Sequence, residues 1–428
     1  MPRVRRTIHT LASPGLHGRG YVQGGEHKAA MYLRRRFQQL GLQPLAPDFT
    51  QPFALNVNTF PARLELQLAA SGAGVSAASG TFHKLRPGRD FIAAPESGAG
   101  RLTAEHSATA LPLDTLILTD AQARQRWLRQ PWGAHGAVLR ARDAARLAAL
   151  PAAQQHLDSA AFVLTLVPKL TASLAATQAR QVRLEVLDSV WYRVAGNGPA
   201  PVRAALRVDA TLQRQYSTQN LVGYVPGRIQ PDSFLVVTAH YDHLGRMGSH
   251  TYFPGANDNA SGTALLLELA AHYARPENQP AYSVAFIAFG AEEAGLVGSR
   301  YFVEHPLVSL ARIRFLVNLD LLGTGSEGIT VVNGREWPAQ FQLLQRLNEQ
   351  RRAVPALAAR GRAANSDHFP FSERGVPAFF LYTRGGISAY HDVYDRAATL
   401  PLTAFVGAFQ LVRDFLNALG ARHTNTKQ

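Results

Sequence analysis

Apolar residues recur on two different periods along this chain, and the points where one gives way to the other outline its organisation. From Gly24 to Leu42 the residues Ala29, Leu33, Phe37 and Leu40 fall at helical spacing and Gly41 closes the run, which predicts an amphipathic helix with Arg34, Arg35 and Arg36 on or beside its wet side. Residues 52–68 alternate and read as strand, and the small, polar residues 69–80 read as a turn or mobile loop. Between about Leu85 and Pro201 the texture shifts to Ala, Gln and Arg, with short strands expected at LDTLILTD, GAVLR and FVLTLV. After Asn220 near-continuous apolar strands are expected at 234–240, 282–289, 313–320 and 376–382, with a helix over 260–274. Such alternation implies an α/β fold, a mixed, mostly parallel central sheet with helices on both faces, interrupted by an inserted β-rich subdomain. The expected division is 1–84, 85–205 and 206–428, the first and last segments forming one domain.

Composition narrows the chemistry. With 428 residues, 46% hydrophobic and 9% aromatic, the chain has enough apolar material for a large core. It has no cysteine, so disulfides, thiolate metal sites and cysteine nucleophiles are excluded, leaving His and carboxylates as the strong metal ligands. The N-terminal MPRVRRTIHTLASPG is basic without an apolar run behind it, so no signal peptide is expected. No apolar run approaches the roughly 18 residues of a membrane span, and a soluble protein without a transmembrane segment is expected. The net charge of +14 is concentrated early, with 23 basic against 12 acidic residues in 1–200 and 21 against 18 in 201–428. No RNA-type aromatic motif or zinc-finger spacing accompanies it, so it reads as a solvated basic surface, and no nucleic-acid partner is expected.

The span from His240 to Glu293 carries His, Asp or Glu at each polar strand or helix edge, where open α/β sheets put their sites. His240 ends a strand, and Asp242 two residues on points to the same side of an extended chain, able to take the other ring N–H. Asp258, in GANDNASG before a helix, suits an N-cap, but a carboxylate can also bridge two cations through its two oxygens. Glu292 and Glu293 could complement a helix dipole; as adjacent residues they point apart, which suits one metal ligand and one base for a bound water. Asp320 ends another apolar strand, and His391 lies in YHDVYD. Each alone fits an ordinary structural role; the five together have the chemistry of a metal-dependent hydrolase.

HYDHLG, GANDNASG, AEEAGLVGS, NLD, SDHFPF and YHDVYD, in that order, resemble the zinc aminopeptidases of peptidase family M28. The likeness covers roughly 215–428, and LASPGLHGRGYVQGGEHKAAMYLRRRF resembles the N-terminal part of bacterial members. The resemblance implies a zinc-exopeptidase-like fold with two Zn2+ per chain: His240 and Asp320 on one, Glu293 and His391 on the other, Asp258 bridging. It implies Glu292 as general base, Tyr390 as donor to the developing oxyanion, and Asp242 and Ser366 orienting His240 and His391. It also implies a cis Asp258–Asn259 peptide, a protease-associated-like insert with its best matches at GAHGAVLR and FVLTLVPKL, and a periplasmic or extracellular location. The implied activity is release of N-terminal residues from peptide substrates by a water that two zincs activate. Two departures stand out: Asp392 follows His391 where the family often has Thr, as an extra carboxylate that would strengthen metal binding or alter the rim, and His243 and His250, between the first two ligands, read as loop residues.

Arg384, shortly before His391, could favour a substrate carboxylate, so a carboxypeptidase or dipeptidase is the nearest alternative. A glutaminyl cyclase with a related single-zinc site is disfavoured because all five ligands are present, as is a non-catalytic receptor-like homologue, which would have lost them. Side-chain preference and oligomeric state are open in the sequence.

Overall fold

The computed structural model describes residues 1–70, 81–196 and 202–421. Most of the expected loop at 69–80 and the start of the expected junction near Pro201 lie outside the described residues. The main sheet is nine-stranded. Its central members are β1 (Thr211–Val225), β2 (Gln230–His240), β3 (Tyr282–Phe289), β4 (Ile313–Leu319) and β5 (Ala378–Arg384). In space they run β1, β3, β2, β4, β5, the last four parallel and β1 antiparallel to β3. Strand Thr50–Thr59 pairs with the long β1, and Gly328–Val332 with Leu357–Ala359 closes the far edge.

Every residue of β3 and the last eight of β2 are buried, because helices cover both faces. Alternate residues serve opposite cores: Leu235, Val237, Val284 and Phe286 face the helices Pro2–Leu11, Gly25–Gln39, Gly262–Tyr273 and Phe405–Ala421. Phe234, Val236, Ala285 and Ile287 face Phe302 of the helix Val297–Glu304 and Phe371. The period-2 placement in strands buried on both sides explains why they read as continuous apolar runs. After β2 the chain crosses through Gly262–Tyr273 to β3, then through Val297–Glu304 to β4 on the other side of β2. The carboxyl end of β2, which is His240, is therefore the point where the winding reverses and a crevice opens.

A second nine-stranded sheet runs from Leu64–Ala70 to Val202–Val208 and includes Gly136–Arg140, Phe162–Val167 and Val182–Leu187. Four helices accompany it: Ala121–Leu128, Ala141–Ala148, Pro151–Leu157 and Asp188–Ala195. Its core takes in Leu244, Met247, Phe253 and Val393, which belong to loops of the main domain.

Two local expectations need correction. Residues 52–68 are two strands in different sheets, because the chain turns at Pro61, which has no N–H for a ladder; Thr50–Thr59 stays with β1 and Leu64–Ala70 pairs with Val202–Val208. LDTLILTD is no strand: Asp114 caps a tight turn over Thr115–Leu118 by accepting from Leu116 N at 3.0 Å, a local bond that competes with sheet pairing. No helix among the described residues is long and apolar enough to cross a membrane.

Phe286 is fully buried in the middle of β3, so Phe286→Ala should cost about 3–5 kcal/mol in urea unfolding, and a loss under about 1 kcal/mol would contradict the packing described.

Candidate metal centre and active-site cleft

His240 is 1% exposed, with its imidazole turned into the crevice. Its Nε2 lies 3.3 Å from Asp258 Oδ1 and 3.4 Å from Asp320 Oδ1, while Nδ1 faces the backbone carbonyl of Asp242 at 3.2 Å and its carboxylate at 3.7 Å. Asp242 does more than face that ring. Its carboxylate also accepts from the amides of Glu292 at 3.1 Å and Glu293 at 3.3 Å and from the Tyr21 hydroxyl at 3.3 Å.

Asp258 follows β2 in a tightly wound turn and joins Asn259 through a cis peptide. The buried Asp395 carboxylate accepts the amides of Asn257 at 2.8 Å and Asp258 at 2.9 Å, fixing the turn. Gly262 packs where a Cβ would strike the Leu319 carbonyl and the Asn259 side chain, which lets the helix start against β4. The outcome is a carboxylate aimed both ways: Asp258 Oδ1 faces His240, and Oδ2 lies 3.0 Å from His391 Nε2. Glu293 completes that side, with Oε2 3.2 Å from His391 Nε2.

The adjacent glutamates sit in opposite electrostatic surroundings. Burial pushes the Glu292 carboxyl well up, His240 opposes this, and Asp367, Glu293 and Asp320 add to it. Burial and Asp258 would raise Glu293 too, but His391 and His243 hold it down at about 2. Glu292 Oε2 lies 4.0 Å from His240 Nε2, at the edge of the centre.

The donor set fits divalent cations. Asp320 Oδ1 is buried without a hydrogen-bond partner, and one donor atom each from His240, Glu292 and Asp320, or from His240, Asp258 and Glu293, fall within 4.8 Å of one another. Hard carboxylate oxygens mixed with imidazole nitrogens, with no sulfur, suit zinc and similar ions.

Several residues stand elsewhere than the sequence suggested. Ser366 does not reach His391; its hydroxyl donates to Asp320 Oδ2 at 2.9 Å and accepts from Asn318 at 2.8 Å, so it aligns Asp320, and His391 Nδ1 instead meets the Ala172 carbonyl at 2.9 Å. His243 is no ordinary loop residue. It is fully buried, with Nδ1 2.6 Å from Glu293 Oε1, whereas His250 is exposed in the turn between two short strands. Asp392 turns away from the centre to accept from the amides of Tyr394 at 2.8 Å and Tyr390 at 3.4 Å. Arg384 donates to the Glu327 carbonyl and does not line the cleft. Tyr390 does: it stacks on His391 at 3.9 Å between ring centroids and is 43% exposed at the mouth. The cleft, about 380 Å³, is otherwise walled by Leu296, Leu321, Phe380 and Tyr382 beside the five ligand candidates and Glu292.

Arg19 escaped sequence reading altogether. It is fully buried, and its guanidinium donates to the carbonyls of Tyr241, Leu11, Pro254, Gly255 and Asp258 at 2.8–3.1 Å. Burial lowers it to about 10, with Asp258, Asp395, Asp242 and Glu293 sustaining its charge. The flanking glycines are the overlooked signal: Gly18 and Gly20 lie so close to the Gly245 backbone that a Cβ on either would collide with it.

The fold and centre define a class, an α/β domain with a carboxylate and histidine site at its winding reversal. Residues 220–416 match the model of peptidase family M28. Among curated relatives, aminopeptidase YwaD of Bacillus subtilis (strain 168) is 34% identical over 182 residues, 39% of this chain and 37% of its own. Leupeptin-inactivating enzyme 1 of Streptomyces exfoliatus is 33% identical over 165 residues, 38% of this chain and 35% of its own. The matches thus span little more than a third of these relatives. The solved structure of a zinc aminopeptidase from Bacillus subtilis superposes with a TM-score of 0.67 at 22% identity, covering 97% of this chain and 93% of that one. An aminopeptidase from Aneurinibacillus sp. strain AM-1 gives 0.65 at 19%, covering 97% and 92%. At these identities the likeness establishes the fold, through both sheets.

Arg19→Leu removes a donor from five buried carbonyls, so it should destabilise the chain by more than about 3 kcal/mol in chemical unfolding; near-wild-type stability would refute the role given to this side chain.

Proposed function

We propose that this chain is a two-zinc aminopeptidase that hydrolyses the first peptide bond of peptide substrates. The observation that carries the reading is Asp258, whose two carboxylate oxygens face two different histidines, 3.3 Å from His240 and 3.0 Å from His391. His240 and Asp320 would hold one cation and Glu293 and His391 the other, with Asp258 between them. Bound there, two zinc ions supply Lewis acidity, easing deprotonation of water and polarising the scissile carbonyl.

The chain's own side chains provide the rest. Glu292, raised by burial and kept beside the centre, takes the proton of the attacking water and passes it to the leaving amine. Tyr390, stacked on His391 at the mouth, can donate its hydroxyl to the oxygen that gains charge in the tetrahedral state. Carboxylates crowd the cleft and Arg384 stays outside it, which favours binding a free α-ammonium over a terminal carboxylate and so disfavours the carboxypeptidase alternative. The names of the relatives, aminopeptidases and a leupeptin-inactivating enzyme, agree with this reading.

Glu292→Gln should keep its metal by elemental analysis while kcat on an aminoacyl-nitroanilide falls by on the order of 10²–10⁴; unaltered turnover would eliminate Glu292 as base. Because Leu296, Leu321, Phe380 and Tyr382 line the cleft, leucyl and phenylalanyl substrates should be cleaved in preference to aspartyl and lysyl ones. Activity confined to N-blocked dipeptides would rule out an aminopeptidase.

A further inference from the structure

The unit built on the second sheet reaches the metal centre through the segment that follows its strand Phe162–Val167. Ala172, 1% exposed, grips His391 twice: its carbonyl meets His391 Nδ1 at 2.9 Å, and its N–H donates to the His391 carbonyl, also at 2.9 Å. His391 needs such a grip, since its backbone sits at φ 53, in the left-handed region that non-glycine residues seldom occupy. Three residues earlier, Lys169 donates to the Ser388 carbonyl at 3.2 Å and lies 3.6 Å from Asp392 Oδ2. Asp392 in turn accepts the amides on both sides of His391. Leu170 and Ala172 pack in the same core as Val393, two residues after the histidine.

We propose that the strap Lys169–Ala172 positions His391, so that the second unit sets the affinity of one cation site and leaves the other alone. The inference rests on the two-cation reading above. A metal-bound imidazole is fixed in tautomer and direction by whatever accepts its other N–H. His240 finds that acceptor within its own loop, at Asp242, whereas His391 finds it on the other unit. Lys169 closes the loop that presents His391 onto the strap, and this also explains Asp392: a carboxylate there answers Lys169 and ties the loop's amides.

The test is calorimetric titration of chelator-stripped, full-length protein with zinc. The wild type should take up two ions. Lys169→Met should weaken one step about tenfold and leave the other unchanged, and Lys169→Arg should restore it. In a His391→Ala background Lys169→Met should have no further effect on the remaining step, as expected of residues acting through one another. Equal weakening of both steps together with a lowered melting temperature would assign Lys169 a general structural role and overturn the proposal, as would two unchanged steps. A wild type that binds a single ion would instead overturn the two-cation reading, and with it the strap.

Discussion

Burial of negative charge is the constraint around which this molecule is arranged. Asp242, Asp258, Asp320, Asp367 and Asp395 are all buried around one centre, with Glu292 and Glu293 beside them. A carboxylate removed from water without a partner costs several kcal/mol, and several together cost more. Protein groups meet part of that cost: His240, His243 and His391 at the centre and the Arg19 guanidinium behind it. Cations bound there would offset the remainder, and Asp320 Oδ1, buried without a hydrogen-bond partner and with His240 Nε2 at 3.4 Å, is one place where the shortfall shows. Arg19 also shows why the N-terminal segment, outside the stretch matched to the family, belongs with the site: it spans the carbonyls on both sides of the loop that joins His240 to Asp258.

What could be read in the sequence follows from the range of the forces involved. The inner strands declare themselves because burial on both faces leaves no polar alternation, and His240 and Asp320 stand out as ionisable groups at the carboxyl ends of such runs. The helix Gly25–Gln39 is legible because Ala29, Leu33 and Phe37 meet one core at regular spacing. Less legible is anything settled by distant partners. His243 looks like any loop histidine until Glu293, fifty residues on, is brought to 2.6 Å, and Ser366 offers no hint of whether it will meet Asp320 or His391. Arg19 looked like one more arginine in an arginine-rich chain, and only the close approach of Gly18 and Gly20 to Gly245 distinguishes it. Alternation across Pro61 suggested one strand where two sheets divide the segment.

The two sheets share more than a chain. Leu244, Met247 and Phe253 come from the loop between the first two ligand candidates, and Val393 from the loop of the last, yet all four complete the core of the second unit. Loops that carry a centre are usually the least packed parts of a domain. Here Leu244, Met247, Phe253 and Val393 are buried in the other unit's core, which stiffens the loops that carry them.

The adjacent glutamates show how a single backbone step can separate two roles. Both amides are fastened to one carboxylate, that of Asp242, so neither residue can drift relative to the other. From this shared anchor the side chains enter unlike fields. Glu293 lies between His243 and His391 and stays ionised, which suits the ligand role proposed for it. Glu292 has Asp320 and Asp367 among the charges that act on it and a carboxyl driven upward, which suits the proton-carrying role proposed for it. Environments that drive paired titratable groups apart are a usual mark of an acid–base assignment. Exchanging the two residues' roles would need His243 moved, and His243 is fixed through its own amide to the Arg19 carbonyl at 3.1 Å. The division of labour proposed for Glu292 and Glu293 therefore traces back to the N-terminal segment.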